Sequence, residues 1–92
     1  HYGAGKSALE TITLGLSKAG AMHNILVNTV RGGYIDTPMH QKMGRKNPKE
    51  RIEMIPLKRA GKPQDIAGMV IFLTSEAGNF ITGETFTVAG GD

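Results

Sequence analysis

The sequence predicts an α/β fold in the order helix, strand, loop excursion, helix, strand. Apolar residues recur three and four positions apart in two long stretches, as in amphipathic helices, and two short β-branched runs are typical of strands. The segment that joins the two strands is long enough for a right-handed, parallel crossover. Glycine makes up 13 of the 92 residues, about twice its average usage, which favours turns that lie close to a ligand.

The first part of the chain is predicted to form a helix followed by a strand. Residues 3–22 form the helix, with Lys18 in the last turn, where the helix dipole favours a cation. Gly15 weakens this helix, and Gly20 is expected to end it. Residues 25–30, Ile-Leu-Val-Asn-Thr-Val, form a strand covered on both faces that Arg31-Gly32-Gly33 is expected to break. The apolar stripe of the helix consists of Ala8, Leu9, Ile12, Leu16 and Ala19.

Residues 34–60 are interpreted as a lid, an excursion from the α/β core that covers a ligand. Thr37-Pro38 and Asn47-Pro48 each combine a capping side chain with a proline suited to the first helical position, so two short helices are expected there. Three methionines give the lid adaptable apolar contacts. They are Met39, Met43 and Met54.

The last part of the chain is predicted to form a second long helix and a second strand. The helix begins at Pro63 and runs to about Ser75, with an apolar stripe along one face. The strand comprises residues 85–88, Thr-Phe-Thr-Val, and follows turns at Gly78 and Gly83. The two strands and their connection form one βαβ unit with the first helix in front.

The composition argues against several classes of site. There is no cysteine, the three histidines lack metal-ligand spacing, and no apolar run reaches the roughly 20 residues that cross a bilayer. A disulfide, a metal site and a membrane span are therefore not expected, whereas a reducing, cytoplasmic location is. The chain begins at His1, directly on the first helix, which suggests a piece of a larger α/β protein; a naturally short domain is the alternative.

Positive charge is concentrated in the lid. The net charge is +3, and residues 42–59 hold seven Lys or Arg against two Glu. An ordinary solvated face is the simplest interpretation, and steering of an anionic small molecule is the alternative. Nucleic acid is a disfavoured partner, because this stretch has no aromatic residue for base stacking. Binding of that kind would weaken steeply with salt.

Tyr2 and Lys6 are the candidate catalytic residues. They are four positions apart, so they share one face if the segment is helical. A phenol normally keeps its proton up to about pH 10, and a nearby ammonium group lowers that pKa, which is what proton transfer to a carbonyl oxygen requires. A surface pair on a frayed first turn is the alternative interpretation.

Residues 31–37 follow the first strand, at the edge where open parallel sheets bind ligands. The glycines at positions 32 and 33 let the backbone approach a ligand, and the Thr37 hydroxyl can bond an amide or a phosphate group. Most Gly-Gly pairs are simply turns, so this loop gains weight only in combination with the other motifs.

Taken in order, these motifs resemble the carboxyl-terminal part of a short-chain dehydrogenase/reductase. The resemblance spans essentially the whole chain, and Y-x-x-x-K alone would be its least specific part. The matching blocks are Tyr2-Gly-Ala-Gly-Lys6, Ile25-Leu-Val-Asn28-Thr-Val30, Gly33-Tyr-Ile35-Asp-Thr37-Pro-Met39, Pro56-Leu-Lys-Arg59-Ala-Gly-Lys-Pro63, Ile66-Ala67, Phe72-Leu73-Thr-Ser75, Ile81-Thr82-Gly83 and Gly90-Gly91.

The resemblance implies a Rossmann-like, doubly wound parallel sheet and an NAD(P)-dependent oxidoreductase that interconverts a carbonyl and an alcohol. Tyr2 would be the catalytic acid/base, and Lys6 would lower its pKa and bond the nicotinamide ribose. The choice between NAD and NADP is undetermined. Further positions implied by the resemblance are Gly33, Ile35 and Thr37 for the nicotinamide end of the cofactor, and Met39 and Met43 for the wall of the substrate pocket.

The resemblance also has departures and a missing part. Gly5 stands in place of the usual serine, Gly32 in place of proline and Ala89 in place of aspartate, and none of these touches the proton-transfer pair. The family's phosphate-binding turn, ribose selector and catalytic serine would all precede residue 1. We therefore expect the carboxyl-terminal part of a homo-oligomeric enzyme, inactive alone. The alternative is a non-catalytic assembly module that pairs through the first helix and the last strand.

Overall fold

The structure, a computed structural model, describes residues 2–37 and 48–92, and for residues 2–6 and 48 it describes the backbone alone. The elements follow the predicted order, and of the two short helices expected within residues 34–60, the predicted lid, the one that begins at Pro48 is present. The helix expected after Thr37 lies outside the described residues. The described elements are α1 (Tyr2–Ala21), β1 (Thr29–Gly32), α2 (Pro48–Glu53), α3 (Pro63–Thr74) and β2 (Thr85–Val88). A 3-10 turn at Glu76–Gly78 lies between α3 and β2. Among the helices described, none is long and apolar enough to cross a membrane.

The two strands pair in parallel, which confirms the predicted crossover. Their register runs from Thr29 opposite Thr85 to Gly32 opposite Val88. Arg31 and Gly32 were expected to break the first strand, and this expectation is wrong because both residues take part in the ladder.

The first strand begins later than predicted, at residue 29 rather than at residue 25. The reason is Asn28, whose side chain replaces regular strand pairing. Its Nδ2 donates to the Ile81 carbonyl at 3.0 Å, and its Oδ1 accepts from the Glu84 N–H at 3.0 Å. Asn28 therefore has a structural role, and the ladder starts only at the next residue.

Alternation along β1 places α1 and α3 on opposite faces of the sheet. Thr29 faces α1, where its hydroxyl and that of Thr13 share a hydrogen bond. Gly32 faces α3, since a Cβ added there would lie 3.1 Å from Ile66 Cδ1. Residues an odd number of positions apart in a strand point to opposite faces. The sheet consequently lies between two helical layers, as in doubly wound α/β proteins.

The face of α1 that packs on the sheet is polar. Thr13 is 4% exposed and Ser17 is 3% exposed, and their hydroxyls donate to the Leu9 and Leu14 carbonyls at 2.8 and 2.7 Å. The predicted apolar stripe does not face the sheet. Its larger members remain exposed, with values of 44% for Leu9, 56% for Ile12 and 54% for Leu16.

Apolar side chains on α3 are also open to solvent. Val70, Ile71 and Phe72 are 44%, 68% and 46% exposed. Among the described residues, Ile55 is the only fully buried apolar side chain, with 1% exposure. The core of this chain is therefore small, and both helical layers present apolar surface that the described residues do not cover.

Candidate functional site

The carboxyl ends of β1 and β2 bring two short loops together, residues 33–37 and residues 89–92. The Gly33 N–H donates to the Val88 carbonyl at 3.1 Å, which extends the strand pairing into the first loop. A Cβ at Gly33 would lie 2.6 Å from Ala89 Cβ, a distance at which the backbone of one of the two loops must shift. Glycine is thus required here by the neighbouring loop, a reason that the sequence alone did not give.

Gly61 holds the loop after β1 in a defined conformation. It forms a parallel bridge with Ile35, in which its N–H donates to the Tyr34 carbonyl and its carbonyl accepts from the Asp36 N–H, both at 2.8 Å. In a parallel bridge of this kind the N–H of the central residue, Ile35, points away from the partner. Within residues 2–37 and 48–92, the Ile35 N–H and the Thr37 hydroxyl have no hydrogen-bond partner. Both groups are available to a ligand.

Two contacts set the register of α1 on β1. Thr13 of the helix meets Thr29 of the strand through their hydroxyls. One turn earlier in the helix and two residues later in the strand, Glu10 Oε1 lies 3.7 Å from Arg31 Nη1. Between these two contacts the residue numbers fall in α1 and rise in β1, so α1 runs antiparallel to β1. Its first turn therefore lies toward the carboxyl end of the sheet.

The same register sets the level of the predicted catalytic residues. A helix rises about 1.5 Å per residue and a strand about 3.3 Å, so two strand residues match roughly four helix residues. Counting from the Glu10–Arg31 pair, the backbone of Lys6 is level with Gly33. Tyr2 lies one turn further toward the carboxyl edge of the sheet, where a ligand is expected; we call this edge the ligand edge. The side chains of Tyr2 and Lys6 are outside the described part of the chain, and so are Met39 and Met43. The roles assigned to these four residues remain predictions.

A cleft of about 160 Å³ lies at the same edge of the sheet. Its walls come from the loop after β1, the loop after β2 and the segment that follows α2. The lining residues include Tyr34, Ile35, Leu57, Arg59, Asp65 and Gly90. The cleft gives the ligand edge a concave surface shared by three separate stretches of chain.

Part of the basic stretch is neutralised by ion pairs. Arg59 Nη1 lies 3.0 Å from Asp65 Oδ2, and Arg51 pairs with Asp92. Each arginine has its pKa raised, chiefly by the hydrogen bond to its carboxylate. The Arg59 hydrogen bond, followed by that from the Lys62 N–H, lowers the pKa of Asp65. Within the described part of residues 42–59, both arginines therefore serve local contacts.

Arg51 and Asp92 were not singled out from the sequence. Their pairing joins residues 41 positions apart, and no local spacing signals such a contact. In the part of the chain that the structure describes, no cluster of metal-ligating side chains is found.

The parallel sheet between two helical layers, with two short loops meeting at its carboxyl edge, defines a Rossmann-like α/β protein. The family model described as enoyl-(acyl carrier protein) reductase matches residues 1–92. The chain therefore belongs to the short-chain dehydrogenase/reductase family, and the resemblance of its motifs is confirmed.

Relatives and solved structures match nearly the whole chain. The acetoacetyl-CoA reductase of an Acinetobacter species is 41% identical over 91 residues, which are 99% of this chain and 37% of the relative. A 3-oxoacyl-[acyl-carrier protein] reductase structure from Brucella melitensis has a TM-score of 0.86 and 36% identity, covering 99% of this chain and 34% of that chain. A blue fluorescent protein from a metagenomic library, in complex with NADPH, has a TM-score of 0.84 and 37% identity, covering 98% and 36%.

The chain spans little more than a third of the length of the curated relatives that it matches. The matched third includes both strands, the predicted lid and the helix that carries the Y-x-x-x-K motif.

Proposed function

We propose that this chain is the carboxyl-terminal part of an NAD(P)-dependent oxidoreductase that interconverts a carbonyl and an alcohol. The observation that carries the proposal is the antiparallel register of α1 on β1. It puts the backbone of Tyr2 and Lys6 at the same edge of the sheet as Ile35 and Thr37. A proton donor and a nicotinamide-binding loop must lie close together for this chemistry.

Each residue has a separate proposed role. Tyr2 exchanges a proton with the substrate oxygen, and the ammonium group of Lys6 lowers the tyrosine pKa and binds the nicotinamide ribose. The Ile35 N–H and the Thr37 hydroxyl hold the nicotinamide amide, and Gly33 lets the loop turn directly out of the sheet. The absence of partners for the Ile35 and Thr37 donors among the described residues supports this fit. The nicotinamide, when bound, supplies the hydride.

The proposed substrates are 3-oxoacyl thioesters. The names of two relatives, an acetoacetyl-CoA reductase and a 3-oxoacyl-[acyl-carrier protein] reductase, support this class. Met39 and Met43 are proposed as walls of the acyl pocket, since methionine adapts to chains of different shape. The NADPH complex of a third relative supports NADPH as the first cofactor to test.

The first test is Tyr2→Phe in the intact protein, with acetoacetyl-CoA and NADPH. Loss of a positioned proton donor is expected to lower kcat by about 10²–10⁴-fold, while the NADPH dissociation constant stays nearly the same. Turnover is followed by nicotinamide absorbance and binding by nicotinamide fluorescence. Equal activity of the phenylalanine variant would show that Tyr2 is not the proton donor.

Lys6→Met tests the second member of the pair. It is expected to weaken NADPH binding and to lower kcat, because one ammonium group serves both the ribose and the phenol. Lys18→Met is the matched control: it removes the same charge from the last turn of the same helix, far from the ligand edge. If Lys6→Met and Lys18→Met behave alike, Lys6 has only a surface role.

We further propose that the active protein includes an amino-terminal half and assembles as a homo-oligomer. The exposed apolar side chains on both helical layers support burial by further protein, because large uncovered apolar surface is unusual in a free domain. The intact protein is expected to have a mass of about 25–30 kDa, typical of a dinucleotide domain of this kind. The 92-residue chain alone is expected not to turn over. A stable 9.8 kDa species that never meets such a partner would favour the assembly-module alternative.

A further inference from the structure

Arg51, on the lid helix α2, contacts both loops at the ligand edge of the sheet. Its guanidinium donates to the Asp92 carboxylate, in the loop after β2. Its Cζ lies 5.4 Å from the centroid of the Tyr34 ring, in the loop after β1. One side chain therefore links the lid to two loops that are far apart in the sequence.

The segment that follows α2 is attached to the β2 loop by independent contacts. The Leu57 N–H donates to the Gly90 carbonyl at 3.1 Å. Ile55 packs under the same glycine, where an added Cβ would meet Ile55 Cγ2 at 3.1 Å. Gly90 and Gly91 adopt φ values of 65° and 91°, which favour glycine. The base of the lid is thus held to β2 by backbone and apolar contacts, and Arg51 adds the link to the loop after β1.

These linked segments form the walls of the cleft at the ligand edge. Tyr34, Leu57 and Gly90 each line it, and each belongs to a different wall. The loop of Tyr34 also carries Ile35 and Thr37, the proposed nicotinamide donors. Arg51 therefore connects α2 to the loop that is proposed to hold the cofactor.

The chemistry of these contacts requires arginine. A planar guanidinium can lie over an aromatic ring and hydrogen-bond a carboxylate at the same time, whereas the ammonium of a lysine is a compact point charge. Arg51 Nη1 is also buried and has no hydrogen-bond partner among the described residues. A buried unpaired donor costs stability, while the Arg51 side chain as a whole remains 38% exposed.

We propose that Arg51 is a positioning residue that couples the lid helix to the nicotinamide loop through Tyr34 and to the β2 loop through Asp92. Through these two contacts it holds the walls of the cleft at this edge of the sheet in their relative positions. The consequence for turnover rests on the proposed reductase function, while the coupling itself is a property of the described fold.

The kinetic test compares Arg51→Met, Arg51→Lys and Lys49→Met in the intact protein. Lys49 is the matched control, because it is an exposed cation on the same helix and its loss changes the net charge equally. Arg51→Met is expected to raise the KM for acetoacetyl-CoA about tenfold with a much smaller change in kcat. The KM of Arg51→Lys should be nearly as high as that of Arg51→Met, whereas Lys49→Met should change KM less than about twofold. An unchanged KM in Arg51→Met, or full rescue by lysine, would overturn the proposal.

Hydrogen exchange gives a readout that does not depend on turnover. In Arg51→Met, amide exchange is expected to rise in two separate segments, residues 49–58 and residues 34–37. Tyr34→Leu, which removes the same contact from the other side, is expected to raise exchange in residues 49–58 as well. Exchange that rises only within α2 contradicts the coupling. If the intact protein reduces no thioester at all, the proposed function fails, and the exchange result still decides whether the coupling exists.

Discussion

The two helices that flank the sheet are held to it by different kinds of contact. α1 packs through buried hydroxyls, and the Thr13–Thr29 hydrogen bond joins it to β1. α3 packs through apolar contact, with Ile66 against Gly32. Hydrogen bonds are directional and favour one register, whereas apolar packing tolerates small shifts. The helix with the more specific attachment is the one whose first turn is proposed to carry the proton-transfer pair.

The largest effect on stability is expected for Thr13→Val, which breaks the specific side of this comparison. It leaves the buried Thr29 hydroxyl without its partner, which costs about 1–3 kcal/mol in the free energy of unfolding. The Thr13→Val/Thr29→Val double variant should recover much of that loss, since neither hydroxyl is then left unpaired. Both are measured by denaturant unfolding of the intact protein.

Thr11→Val is the control for this series. Its hydroxyl also bonds within α1, to the Ser7 carbonyl at 3.0 Å, but the residue is exposed. Little change is expected. The Thr29→Val single variant completes the comparison. If the effects of Thr13→Val and Thr29→Val simply add in the double variant, the Thr13–Thr29 bond does not set the attachment of α1.

A smaller effect is expected on the apolar side of the sheet. Ile66→Val removes one methylene group from the contact with Gly32, and such a change costs about 0.5–1.5 kcal/mol, near the lower end for a half-buried residue. Because α3 is held by less directional contacts, kcat and KM should stay close to those of the parent. Thermal unfolding and steady-state kinetics check both parts. A large loss of turnover without loss of stability would refute the contrast between the two helices.

The smallest effect concerns the ion pair at the start of α3. The Arg59 hydrogen bond lowers the pKa of Asp65, so its stabilisation is present above the unfolded pKa of about 3.9 and is lost as the pH falls through the folded pKa. The pair is exposed, so the effect is small. Unfolding midpoints measured from neutral to strongly acidic pH should depend less on pH in Asp65→Asn than in the parent. The opposite trend would show that Asp65 is not stabilised as a carboxylate.

Periodicity predicted the type and order of the elements because it reflects local geometry. Pro63 begins α3 as expected, where Asp65 accepts a hydrogen bond from the Lys62 N–H at 2.7 Å, and β2 has the predicted bounds. The errors arise where distant residues compete with local preference. Asn28 bonds to residues more than 50 positions away, which delays β1.

The candidate site was predicted in part, for the same reason. The loop after β1 lies at the expected edge of the sheet because chain order and parallel pairing fix where a strand ends. The inner face of α1 was not predicted, because hydroxyls that bond within the helix carry no apolar signal. Arg51 was not predicted either, since its partners belong to two other loops.

The tight approach of the two loops fixes the residue type at position 33 through backbone as well as side-chain atoms. A Cβ there would lie 2.6 Å from the Ala89 Cβ and 2.9 Å from the Ala89 Cα. Glycine at position 89 would therefore remove only part of the clash. Any side chain at position 33 forces the ends of the two strands apart, so position 33 is closed to variation while the sheet keeps this pairing.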